Sequence, residues 1–127
     1  MVALPVPTDG EMVKLVSSEV VRFGDAFVIV TNVTEFIRRV VSAANEKRDG
    51  IRSVESRMVE YYDADEDSGD VGRFRKRSQF AYQNEFRIVV EPGSIGPRNL
   101  CVGSLLDITS EVLPSSAALE PWRFALN

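Results

Sequence analysis

The feature that most constrains the fold is residues 26–31, Ala-Phe-Val-Ile-Val-Thr, with a capped helical stretch directly after it. An uninterrupted β-branched run of this length reads as a strand buried on both faces, and hence as the centre of a sheet. Asn32 or Thr34 then opens a helix, and Asn32 with Glu35 three positions on has capping-box spacing. Phe36, Ile37, Val40, Val41 and Ala44 share one helical face; Arg38, Arg39, Ser42 and Asn45 are expected to face water. Lys47 and Arg48 suit the negative end of the helix dipole, and Gly50 stops the helix near residue 48. A second strand is expected within residues 51–62, with Arg57, Val59 and Tyr61 pointing one way and Met58, Glu60 and Tyr62 the other. Strand, helix and strand together predict that residues 26–31 and 57–62 lie parallel, joined by a right-handed crossover.

The rest of the chain adds short elements around this unit. Pro5, Pro7 and Gly10 make residues 1–11 an extended arm, and Gly24-Asp25 marks a turn. Residues 85–91 alternate as a strand with Phe86, Ile88 and Val90 toward the core, closed by a Pro92-Gly93 turn. A short strand is expected at 99–102, broken by Gly103, after which Leu105, Leu106 and Ile108 return to the core. The tail, 114–127, is expected to be irregular and pinned by Trp122 and Phe124. The expected fold is therefore a single α+β domain, 1–127: one mixed sheet of four to five strands with one main helix packed on one face.

Composition excludes several kinds of chemistry. There is no histidine, which removes Ser-His and Cys-His catalysis and most zinc sites. The single cysteine, Cys101, cannot form an intramolecular disulfide, and its place between Leu100 and Val102 reads as a buried small hydrophobe. A net charge of −4 opposes general binding to nucleic acid or anionic membrane. No apolar run approaches the roughly 20 residues of a membrane span, and the N-terminus lacks the pattern of a signal peptide. A cytoplasmic protein without metal or cofactor is expected.

Two charged segments adjoin. Residues 63–72 form an acidic loop containing Asp65, Glu66 and Asp67. Its Asp63-x-Asp65-x-Asp67 spacing begins like a calcium loop, but Ser68 and Phe74 occupy the positions that need Gly and Glu, so a solvated loop is the expectation. Arg73, Arg75, Lys76 and Arg77 follow, interleaved with Phe74 and Phe80. Such a segment suits RNA or single-stranded DNA, an anionic partner surface, or neutralisation of the acidic loop beside it.

The sharpest pattern is Tyr82-Gln83-Asn84-Glu85-Phe86-Arg87. Gln83-x-Glu85 ahead of an apolar strand resembles the third catalytic motif of ADP-ribosyltransferases of the Gln-x-Glu type. That resemblance implies NAD as cofactor, Glu85 as the carboxylate beside a developing oxocarbenium ion, and Gln83 as the acceptor-binding residue. The family's Ser-Thr-Ser is absent, and only Arg22 stands where its early arginine would be. A wider set of segments resembles an uncharacterised family of small bacterial and phage proteins. These are Phe23-Gly-Asp25, Glu35-Phe-Ile-Arg-Arg39, Val59-Glu-Tyr-Tyr-Asp63, Lys76 with Tyr82-Gln-Asn-Glu-Phe-Arg87, and Val102-Gly-Ser-Leu-Leu-Asp-Ile108. It implies a shared fold and no particular activity, and this chain would be a short version of it.

Small size, acidity and the lack of histidine favour a non-enzymatic protein-interaction module. Its partner would be another copy of itself or a larger nucleic-acid-handling complex that an acidic, phage-type inhibitor blocks. The candidate contact residues are Arg75, Lys76, Arg77, Tyr82 and Arg87, together with Asp65, Glu66 and Asp67. An NAD-dependent transferase using Gln83 and Glu85, and RNA or single-stranded DNA binding through Arg73 to Arg77, are the alternatives.

Overall fold

The computed structural model of the chain describes residues 1–4, 8, 10–47, 51–63, 65, 72–91, 96–97 and 99–123. In order it forms strands β1 (Met12–Lys14) and β2 (Ala26–Phe27), helix α1 (Val33–Lys47), then β3 (Ser53–Met58), β4 (Glu60–Tyr62), β5 (Arg75–Arg77), β6 (Phe86–Glu91), β7 (Leu113–Pro114) and β8 (Pro121–Arg123). Short 3-10 turns lie at Val20–Phe23, Ser78–Gln83 and Ser115–Leu119. The class is α+β, with one main helix.

The strands pair two by two: β1 with β8, β2 with β7, β3 with β6 and β4 with β5. This replaces the expected single sheet of four to five strands. Most of these strands are only two or three residues long, and Pro114 and Pro121 cannot donate to a ladder. Residues 26–31 are not a sheet centre either. Only Ala26–Phe27 forms a strand, antiparallel to Leu113–Pro114. Beyond it Val28 is 48% exposed, and Val30 makes an isolated antiparallel bridge to Thr109. The Ile29 N–H donates to the Ser110 hydroxyl at 2.9 Å.

The parallel pair is β4–β5, registered Glu60↔Arg75 and Tyr62↔Arg77, not 26–31 with 57–62. The 63–74 connection supplies the dozen or so residues that a parallel return requires. Residues 51–62, expected as one strand, divide at Val59 into β3 and β4. There the Val59 N–H bonds to Glu85 O, and the next N–H, of Glu60, bonds to Phe74 O, both at 2.8 Å.

The chain divides into two compact units. The first comprises Met1–Phe27, Arg57–Arg87 and Leu113–Asn127. Its buried apolar side chains are Leu15, Val59, Phe74 and Ala118. The N-terminal residues lie extended beside the start of β6: Val2 bridges Glu85, Ala3 N–H bonds to Asn84 O and Phe86 N–H to Met1 O. Through Arg123 the tail is regular rather than irregular. After the Ser115–Leu119 turn, β8 pairs antiparallel with β1, with Trp122 opposite Val13, and the Trp122 Nε1–H donates to Ala117 O at 2.8 Å within the tail. Phe124 lies outside the described residues.

The second unit comprises Val28–Ser56 and Ile88–Val112. Helix α1 begins as the sequence predicts, with Asn32 Oδ1 accepting the Glu35 N–H at 3.0 Å. Val40, Ala43 and Ala44 are buried, and Phe36, Ile37 and Val41 half-buried, so the predicted stripe faces inward. The expected stop at Arg48 and Gly50 and the Pro92-Gly93 turn fall outside the described residues. Residues 99–102 form no strand, and Cys101 is exposed, not buried. Without a ladder to hold alternate side chains, its apolar neighbours do not enclose it. Gly103 ends the segment at φ +78°, a left-handed conformation that favours glycine. The inward face expected of β6 is not distinct, because all six of its residues are half-buried.

Candidate functional site

The first unit gathers five of the ten expected site residues, Lys76, Tyr82, Gln83, Glu85 and Arg87, into one cluster. The β4–β5 register places Tyr61 opposite Lys76 and leaves Tyr62 opposite Arg77 on the other face. The Ser78–Gln83 turn then reverses the chain, and Asn84 completes the reversal at φ 41°, a left-handed position that Asn tolerates. Its side-chain amide donates to Ala3 O at 2.8 Å. The reversal brings Gln83 and Glu85 back over Lys76.

The resulting contacts are short and ionic. Lys76 Nζ donates to Gln83 Oε1 at 2.5 Å and to Glu85 Oε2 at 3.0 Å. Arg87 donates from Nε to Glu85 Oε1 at 2.5 Å and from Nη2 to Oε2 at 3.2 Å, while its Nη1 donates to Arg73 O at 2.7 Å. Glu85 is fixed at its backbone too, its N–H donating to the Tyr61 hydroxyl at 2.9 Å. The Gln83 amide donates to the Tyr82 hydroxyl, and the Tyr82 ring packs against Phe23. Lys76 Nζ also lies 5.1 Å from the Phe80 ring centroid. The Glu85 side chain is only 20% exposed.

This setting holds the Glu85 carboxyl down at about 2, chiefly through the Arg87 guanidinium; burial opposes this, and Lys76 adds a smaller lowering effect. Arg87 is raised by the same contact. The folded carboxylate therefore keeps its charge well below the ordinary value of 4.5. The stabilisation is complete above pH 4.5 and is lost as pH falls toward about 2. Glu85→Gln should make the acid limb of a stability-against-pH curve shallower in that window. At pH 7 it should cost about 1 kcal/mol, a figure reduced for water screening at this part-exposed site. Chemical denaturation of both proteins at a series of pH values measures this; equal slopes would show that the pairs contribute nothing.

The other expected site residues lie apart from the cluster. The Arg75 guanidinium stacks 4.7 Å from the Tyr62 ring centroid, on the opposite face of β5, and Arg77 is exposed. Asp65 is exposed and its N–H donates to Asp63 Oδ1. Glu66 and Asp67 lie outside the described residues. Among the described residues no group of acidic or cysteine side chains is arranged to hold a metal ion. No helix there is long and apolar enough to cross a membrane.

The second unit holds an ion cluster that no expected site residue belongs to. Arg39 was expected to face water; instead it bridges α1 to the 103–108 loop. Its Nη1 and Nη2 donate to Asp107 Oδ1 and Oδ2 at 2.9 and 2.5 Å, its Nη1 to Ser104 O at 2.6 Å, and its Nε to Glu35 Oε1 at 2.8 Å. Arg38 donates to both oxygens of Glu35. These two arginines draw the Glu35 carboxyl down to about 2, Arg38 first, and Arg39 lowers Asp107. The Glu35–Arg38–Arg39 spacing was the readable signal, because i,i+3 and i,i+4 partners meet on a helix. Asp107 carried none.

No family model, curated protein or solved structure matches this chain.

Proposed function

We propose that this chain is a non-enzymatic protein-interaction module. The observation that carries the reading is the balance of apolar burial. Among the described residues no large side chain is fully buried, whereas Phe23, Val28, Met58, Leu106 and Val112 are all exposed. Leu106 is the extreme case at 86%, and it sits on a loop that Arg39 clamps at Ser104 and Asp107 on either side of it. A large apolar side chain exposed on a loop whose backbone is tied down on both sides is the arrangement expected of a contact residue, because little backbone entropy is lost when it docks.

The chemistry of the Gln83–Glu85 cluster supports the same reading. A transferase of the Gln-x-Glu type needs the Glu85 carboxylate free to face a developing positive charge. Here both its oxygens already accept hydrogen bonds from Lys76 and Arg87. In the basic segment Arg75 lies on Tyr62 and Lys76 is bound to Glu85, which weighs against a strip of cations available to nucleic acid. With a net charge of −4, the favoured partner is a protein with a basic surface, as in a nucleic-acid-handling complex that an acidic inhibitor occludes.

Two measurements test this. Incubated with NAD, the wild-type chain should release nicotinamide no faster than buffer does; turnover that Glu85→Ala abolishes would replace the proposal with the transferase reading. Affinity capture and mass determination should find the chain in a stoichiometric assembly, with itself or with another protein. A free monomer under all conditions would refute it.

A further inference from the structure

In the second unit, residues 28–31 lie against residues 108–112 along one edge. The Thr31 N–H donates to Ile108 O, the Ser110 N–H to Ile29 O, and the Ile29 N–H to the Ser110 hydroxyl. Alternation along an extended chain turns the N–H and C=O of Val28 and Val30 toward the opposite edge. Among the described residues no hydrogen bond reaches them there. The segment on that edge is Val-Ile-Val-Thr, without charge or proline. Edge strands of soluble proteins are ordinarily protected by lysine, proline, a covering loop or an inward charge. None of the first two occurs within 28–31, and Val28 stands 48% exposed.

We propose that this edge is a self-association surface, on which residues 28–30 pair antiparallel with the same residues of a second copy across a twofold axis. The proposal rests on the interaction reading above and, for this uncharged edge alone, names a second copy as what docks there. The geometry is self-complementary. With Ile29 on the axis, Val28 faces the partner's Val30 and Val30 faces the partner's Val28. In such a pair each N–H meets the opposite C=O, so the unpaired backbone groups satisfy one another. Both side-chain faces then set apolar β-branched residues against each other, and no like charges oppose.

Two further observations favour a second copy over a different protein. The ladder of 28–31 with 108–112 has only two members, and isolated two-stranded pairs are marginal in water; pairing across the axis makes it four. The second unit also buries little: Val40, Ala43, Ala44 and Ile108 are its enclosed apolar residues, while Val28, Val33, Leu106 and Val112 are exposed. A partner that completes a thin core must be present whenever the chain folds, and a second copy always is.

Light scattering and sedimentation of the full chain should give the mass of a dimer. Val28→Lys places a charge on the edge. Val28→Pro removes a donor N–H that makes no hydrogen bond among the described residues. Both should keep the wild-type circular dichroism and run as monomers where the wild type is dimeric. Amide hydrogen exchange on the wild type covers the case in which both variants unfold. Protection of Val28 and Val30 should rise about ten-fold or more from dilute to concentrated protein. A monomeric wild type, dimers in both folded variants, or no concentration dependence at these two amides would overturn the proposal. A monomer that still captures a stoichiometric protein would leave the interaction reading standing without self-pairing. A dimer that hydrolyses NAD would do the reverse.

Discussion

Phe74→Ala is expected to destabilise the first unit by about 3–4 kcal/mol. Phe74 is 4% exposed, and apart from it the enclosed apolar residues there are Leu15, Val59 and Ala118. Removing the one aromatic ring among them leaves a cavity that two aliphatic side chains and an alanine methyl are too small to close. The ring is also covered by the Arg57 guanidinium, 4.2 Å from its centroid. The truncation loses that attraction and leaves the cation over a hole. Urea denaturation should show the midpoint falling with little change in slope. A loss below about 1 kcal/mol would mean that the ring is not central to the packing. The Phe74 carbonyl accepts the Glu60 N–H, so loosening here should also disturb the β4–β5 pair and with it the seat of Lys76.

Ile108→Ala should cost the second unit about 3 kcal/mol. Ile108 is 4% exposed, and the residues buried with it in that unit are Val40 and two alanines, so it is the largest enclosed side chain. Its backbone closes the 105–108 turn through the bond from its N–H to Leu105 O, and its carbonyl accepts the Thr31 N–H. The side chain therefore anchors the loop that Arg39 clamps and the ladder that ends at Thr31. A thermal or urea melt measures the cost. Faster amide exchange at Thr31, relative to Phe36 inside the helix, would show that the loss is transmitted along the ladder. An unchanged melt would place the core of this unit elsewhere.

How much was readable in advance follows from the distance over which each feature is decided. The start and inward face of helix α1 were legible because its cap, its apolar stripe and its charges interact over four positions or fewer. The Lys76–Gln83–Glu85–Arg87 cluster was half legible. Its members lie within a dozen positions and were singled out as a group, but that Lys76 and Arg87 would both close on one carboxylate depended on the 3-10 turn and the left-handed Asn84. Arg39–Asp107 was not legible, since its partners lie 68 positions apart and a helical arginine looks the same in sequence whether or not a loop returns to it. Cys101 misled because an apolar triplet reports burial only when a ladder fixes which side faces inward.

The sequence by itself determined the α+β class, the start and inward face of the one main helix, and the absence of histidine-based chemistry. These are set by composition and by neighbours a turn apart. Only the tertiary structure decided how the strands pair. A β-branched run such as residues 26–31 specifies an extended backbone, but not how many partners it finds, because those are supplied by residues about eighty positions away. Among the described residues it found partners along one edge, and no backbone hydrogen bond reaches Val28 or Val30 on the other, where the sequence had read the middle of a sheet.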